Sequence, residues 1–370
     1  MKGSTLYLIV LLFYTGACVD RITFDVGSPS AFPVVIDGHI SDEPGPYTIR
    51  VSKAFDIESR LSIKTPIAVR KLSIHDDQGL SEVLTKVTEG EYQTSSNGIR
   101  GVVGRSYTLE VELLDGRVYK SIPDKLLPTG KVESVNFQYK SETGDDFVTR
   151  YGFDITFNAT AGNLESYYFL WKFVGTFQYE TNPELFTVNC GESRCPRPLP
   201  CSAYVLGSDG LQMVKPCECC TCWTDILNTE PIVSDNQVVK DGKFQNVYAT
   251  YLPITQWTFM HKVHAEVRQM SLSPRAFAFW KAIKDQKTAN ESLFQPVAGK
   301  IPTNFYQVGG NAGPVEGLFY ATSISRNSVY ITRDDVPDQR VIPAVEFPYP
   351  NSCESLFPNS TTAKPKFWVD

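Results

Sequence analysis

Apolar and polar residues alternate along much of this chain with the two-residue period of half-buried strands. Tyr47, Ile49 and Val51 alternate with Thr48, Arg50 and Ser52, and residues 33–40, 67–75, 107–113 and 118–122 read as further strands. Asp42-Glu43-Pro44-Gly45-Pro46 and Asp76-Asp77-Gln78-Gly79 supply turns, and Asp115-Gly116 is a tight hairpin signal. Short strands divided by turns predict a β-sandwich over residues 33–125, of immunoglobulin-like or prealbumin-like type. Pro123, Pro128 and Gly130 then interrupt the pattern, so 123–130 reads as a linker.

A larger β-rich domain is expected over 131–345. Residues 153–157 alternate, and 167–177 are dense in aromatics. Residues 256–269 read as one long strand. Val263, Ala265 and Val267 take one face, with Lys262, His264, Glu266 and Arg268 on the other. One helix is marked, at about 274–287. Ser273 is its N-cap and Pro274 its first residue, and Phe277, Trp280 and Ile283 make its apolar face. Strands resume at 317–323 and 328–333. The tail, 346–370, is proline-rich and reads as loosely ordered. The fold class is therefore mainly β: a sandwich, then a β-rich domain with one helix and a cysteine-rich loop at about 187–224.

The N-terminus follows a different pattern. Lys2 precedes a short apolar run, Leu6 to Tyr14, and Thr15-Gly16-Ala17 leads to Cys18. Residues 1–17 read as a secretory signal, Cys18 as a lipid anchor and 18–32 as a leader. The run is too short to span a bilayer. Thr15 stands where a lipoprotein box usually has Leu, so an ordinary signal cleaved near Ala17 is the alternative. Cysteine parity favours the lipid: nine cysteines are odd, and setting Cys18 aside leaves an even number.

Composition agrees with the strand pattern, since aromatic residues make up 12% of the chain. The formal net charge is −6 with no basic patch, so nucleic acid is not an expected partner.

Candidate chemistry is sparse. Cys190, Cys195, Cys201, Cys217, Cys219, Cys220 and Cys222 cluster, with Cys353 far away. Outside the cytosol such density points to disulfides. Zinc is the rival, but zinc sites prefer wider ligand spacing than Cys217 to Cys222 offers. Seven clustered cysteines cannot all pair among themselves. With Cys18 lipidated, full pairing sends Cys353 back to the cluster, and the neighbours Cys219 and Cys220 should take different partners. His261 and His264 lack the HExxH pattern and lie three apart, on opposite faces of a strand. Gly309-Gly310-Asn311-Ala312-Gly313 lacks the lysine of a phosphate loop, and no GxSxG elbow occurs. Neither catalytic residues, a metal nor a cofactor is expected. Tyr167, Tyr168 and Trp171 are the candidate ligand-face aromatics, with strand-core packing as the competing explanation.

Several segments in order carry a resemblance. They are Val35-Ile36-Asp37-Gly38-His39-Ile40, Asp115-Gly116-Arg117-Val118-Tyr119, Tyr167-Tyr168-Phe169-Leu170-Trp171, Phe277-Ala278-Phe279-Trp280 and Gly317-Leu318-Phe319-Tyr320-Ala321. The chain resembles the Bacteroidota outer-membrane lipoprotein family with the domain of unknown function 4249. Gly299-Lys300-Ile301 departs from a Gly-Asn-Ile element of that family. The resemblance implies an outer-membrane, lipid-anchored protein at the cell surface. It also implies a TonB-dependent transporter as partner, and it supplies no catalytic residues. The expected function is a non-catalytic binding or accessory role; a structural or adhesive surface β-protein is the alternative.

Overall fold

The computed structural model describes residues 33–53, 65–161, 168–228, 230–234, 241–290, 301–309, 314–345 and 347–369. The signal, Cys18, the leader and Tyr167 lie outside them. The principal strands are β1 (Val34–Ser41), β2 (Thr48–Lys53), β3 (Val69–Asp76), β4 (Glu91–Gln93), β5 (Ser106–Leu113), β6 (Val118–Ser121), β7 (Lys131–Thr143), β8 (Thr149–Thr160), β9 (Phe169–Glu180), β10 (Thr221–Leu227), β11 (Lys243–Pro253) and β12 (Lys262–Ser271). Helix α1 (Pro274–Asn290) follows, then β13 (Phe305–Val308), β14 (Val315–Thr322) and β15 (Ile324–Thr332). Among the described residues α1 is the α-helix, and the molecule is mainly β.

Two six-stranded sheets face each other first. One runs β14-β1-β2-β4 and ends on Thr85–Thr88. The other runs β13-β6-β5-β3 and ends on Ser81–Val83. Strand β5 alternates strictly between buried and half-buried residues, and its buried face, Tyr107, Leu109, Val111 and Leu113, meets Ile36, Ile49 and Val51 across the core. Asp115-Gly116 turns the chain from β5 into β6, with Gly116 at φ 87°.

The sandwich is not drawn from 33–125 alone. β14 pairs with β1 in parallel, from Val34↔Val315 to Ser41↔Thr322, and β13 pairs antiparallel with β6. Gly317 makes the parallel seam fit. A Cβ there would lie 2.0 Å from the Ile36 carbonyl oxygen, and φ is +102°. Only glycine accepts both the close approach and the positive φ.

Two more sheets enclose a second core. β7-β8-β11 forms one, and β10-β9-β12-β15 the other. Phe153, Ile155 and Phe157 of β8 meet Trp171, Phe173 and Phe177 of β9 and Val263, Ala265 and Val267 of β12. β12 is shorter than the pattern suggests. Thr258 donates to the Pro253 carbonyl and Thr255 accepts from the Thr258 amide, which folds 255–260 into a turn before Lys262. The polar face of β12 is covered at His264, which is buried and stacks on Phe367 at 4.3 Å.

That covering comes from the tail, which is fastened. Cys353 pairs with Cys222, the Tyr179 hydroxyl donates to the Cys353 carbonyl at 2.7 Å, and Trp368 is buried. The other pairs are Cys190–Cys195, Cys201–Cys219 and Cys217–Cys220, so the adjacent Cys219 and Cys220 take different partners. These bonds staple two short hairpins, Thr187–Cys190 with Ser193–Pro196 and Tyr204–Gly207 with Gly210–Met213.

Helix α1 fills the corner between the sandwich and the second pair of sheets. Ser273 caps it: its Oγ accepts from the Ala276 amide at 3.2 Å and donates to Asp124 Oδ1 at 2.5 Å. Asp124 Oδ2 accepts from the Ala321 amide of β14 at 3.0 Å. One buried carboxylate therefore ties the helix start to the sandwich edge, and burial raises its pKa above the usual carboxylate value. Ala276, Leu170, Met270, Leu318 and Tyr320 form the small core under the helix, with Phe277 and Trp280 packed on it.

Candidate functional site

A cleft of about 420 Å³ opens beside α1. Its floor is the outward row of β9, Leu170, Lys172 and Val174, which alternation turns away from the core that holds Trp171 and Phe173. Trp280, Ile283 and Lys287 of α1 form one wall. Leu227, Asn228, Glu230 and Pro231 form the other. Asn228 holds that wall to the floor, because its Oδ1 accepts from the Phe173 amide at 2.9 Å.

The floor carries an unusual row of charge. Lys172 sits directly opposite Arg268 on β12, and Arg268 directly opposite Arg326 on β15. Like charges placed opposite one another across a sheet are destabilising. The two arginines are compensated. Arg268 Nε donates to Glu266 Oε1, Arg326 lies 3.7 Å from Glu266 Oε2, and Arg326 also pairs with Glu43. Lys172 is not: among the described residues no carboxylate is in ion-pair contact with it. Its ammonium lies 5.7 Å from the centre of the Trp280 ring.

Burial pushes the Lys172 pKa below that of an ordinary lysine. Asp37 across the corner opposes the shift, while Arg268 and Arg50 add to it. The same field reaches His39 on β1, which is half-buried. Its pKa is held down at about 3, by burial first and then by Lys172 and Arg268. His39 stacks on Tyr320 at 5.3 Å, and Tyr320 meets Trp280 edge-on at 6.3 Å. Burial raises the Tyr320 pKa. Aromatic contacts thus link the cleft to the sandwich face.

Two other hollows lack this imbalance. In the one at Arg50 and Glu91, those two side chains pair at 2.7 Å. In the one at Tyr248 and Tyr251, Lys140 pairs with Glu142 at 3.1 Å, and Arg150 pairs with Asp146.

The aromatic candidates divide. Trp171, read as a possible ligand-face residue, is a core residue: it is 1% exposed, and its indole N–H donates to Gln269 Oε1 at 2.8 Å. Tyr168 is half-buried under α1, its ring tilted against Phe277 at 4.6 Å. His261 faces Glu180 at 3.0 Å, whereas His264 is buried against Phe367. Among the described residues no group of three His, Cys, Asp or Glu side chains is placed to hold a metal ion. Sequence reading passed over Lys172. The available signal was its position, a lysine inside the apolar run Phe169–Phe177.

Fold and cleft together define a double β-sandwich protein with one helix-walled, cationic recess. A family model described as Domain of unknown function (DUF4249) matches residues 19–328, and the chain belongs to that family. No curated protein matches it.

Proposed function

We propose that this protein is a non-catalytic binding module of the cell envelope. In this reading it is anchored by a lipid on Cys18 to the outer membrane, at the cell surface, and acts as accessory partner to a TonB-dependent outer-membrane transporter. The observation that carries the binding reading is Lys172, a desolvated cation set opposite a second cation in a walled cleft. Such a site selects by charge and shape. The apolar run ending at Thr15-Gly16-Ala17-Cys18 supports the anchor. Several acyl chains on one cysteine would hold the protein stably on a bilayer.

Cys18→Ser should move the protein from the membrane fraction to the soluble one, and acyl labelling should vanish. A variant that stays membrane-bound and labelled removes the anchor from the proposal. Co-purification of a transporter from detergent-solubilised outer membranes tests the partner. Recovery of the protein alone, under conditions that keep such complexes intact, counts against it. An adhesive surface role is the second reading. The stapled hairpin Tyr204–Gly207 with Gly210–Met213 favours it, because Val205, Leu206 and Met213 stand exposed there. Loss of cell attachment on replacing those three with serine, with the cleft intact, would favour this reading.

A further inference from the structure

The row of cations across the second sheet implies what the cleft is built to hold. Two facing cations repel unless an anion lies between or above them. Glu266, two residues along β12 from Arg268 and opposite Val174, is engaged with Arg268 and Arg326. Nothing in ion-pair contact answers Lys172 among the described residues. Asp37 acts on it only across the corner, and Glu230 stands at the rim of the opposite wall. The recess is thus short of one negative charge.

The rest of the lining limits the anion. Ile283 and the Trp280 ring on one wall, and Leu227 and Pro231 on the other, present apolar surface. The volume falls in the range of small-molecule pockets. Lys172 offers a point charge with three rotatable donors, and Lys287, on the α1 wall, is engaged elsewhere. Arg268 has its Nε engaged with Glu266. A dianion would meet only part of the countercharge it needs and would be repelled by Glu230 at the rim. A monoanion with an apolar body fits both the charge and the walls.

We infer that the cleft binds a small organic carboxylate, its carboxylate on Lys172 and its apolar body between Trp280 and the wall of Leu227 and Pro231. This rests on the binding reading of the protein and deepens it. Bound there, the carboxylate relieves the repulsion between Lys172 and Arg268, and the apolar body leaves water against the indole face.

Isothermal calorimetry on the full chain tests it, with butyrate, octanoate and 4-phenylbutyrate as probes and 4-phenylbutyramide and inorganic phosphate as controls. At least one of the longer carboxylates should bind with a dissociation constant below about 1 mM. The amide should bind about tenfold more weakly or worse, the size of a lost charged hydrogen bond, and phosphate should not compete. Lys172→Met keeps the stem and removes the charge, so it should lose about tenfold in affinity with the thermal midpoint held or raised. Lys172→Arg should retain part of the binding. The inference is overturned if no carboxylate binds, if the amide binds as well as the acid, or if phosphate binds better than the carboxylates. Binding unchanged in Lys172→Met overturns it too. The amide comparison on the unaltered chain keeps the test decisive should Lys172→Met fail to fold. Carboxylate binding without transporter capture leaves this inference standing and removes the partner from the proposal; transporter capture without carboxylate binding does the reverse.

Discussion

At the scale of single residues, the burial of His39, reinforced by Lys172 and Arg268, has a measurable consequence in stability. His39 has a folded pKa of about 3 against an ordinary value of 6.5. Between those values the unfolded chain takes up a proton that the folded chain refuses, so stability rises with pH across that window and falls on acidification. The loss on going from pH 6.5 towards 3 should be on the order of a few kcal/mol at most, because the ring is only half-buried. Urea midpoints measured across that range should show a shallower slope in His39→Gln than in the parent. Equal slopes would mean that other groups carry the dependence. Gly317→Ala belongs to the same scale. Its Cβ has nowhere to go but into the Ile36 carbonyl, at a φ of +102°. We expect a loss of roughly 2 kcal/mol or more in chemical denaturation, concentrated in the first sandwich.

At the scale of elements, α1 depends on its cap. Ser273→Ala removes the acceptor of the Ala276 amide and leaves Asp124 Oδ1 without its donor. The cap alone is worth roughly 1 kcal/mol and the stranded carboxylate adds to that. Differential scanning calorimetry should give a larger loss for Ser273→Ala than for Ser273→Asn, which can still cap. How legible these elements were follows from how local their causes are. The cap of α1 and the Asp115-Gly116 hairpin rest on neighbours in sequence, and both are where the pattern puts them. The start of β12 was misplaced because side-chain hydrogen bonds at Thr255 and Thr258, invisible to hydropathy, break the strand. His264 on its polar face is covered by Phe367, from about a hundred residues away in sequence. The cleft was hidden for the same reason: Lys172, Arg268 and Trp280 come from three elements, and only the sheet register sets Lys172 opposite Arg268.

At the scale of the whole molecule, the Cys222–Cys353 bond closes a span of 131 residues that includes β11, β12, α1 and β13 to β15. Loop-closure entropy assigns such a bond roughly 5 kcal/mol, against roughly 2 for the short Cys190–Cys195 loop. Replacing Cys222 and Cys353 together by alanine should therefore lower the denaturation midpoint far more than replacing Cys190 and Cys195. Equal losses would show that the stabilisation is not one of chain length. A non-reduced digest should contain a peptide joining the two ends of that span.

The seating of β13 and β14 at the margins of the first sandwich sets an order in time. A chain made from its N-terminus first completes β1 to β6 long before Val315 exists. Through that interval β1 and β6 each present a row of unmatched amide and carbonyl groups, the kind of border along which chains stick to one another. β13 and β14 are thus the fastening of the first sandwich, and the nascent protein has a vulnerable age that ends when Thr322 arrives. A chain halted before residue 305 should be recovered as aggregate, whereas adding 305–322 back as a separate peptide should keep part of it in solution.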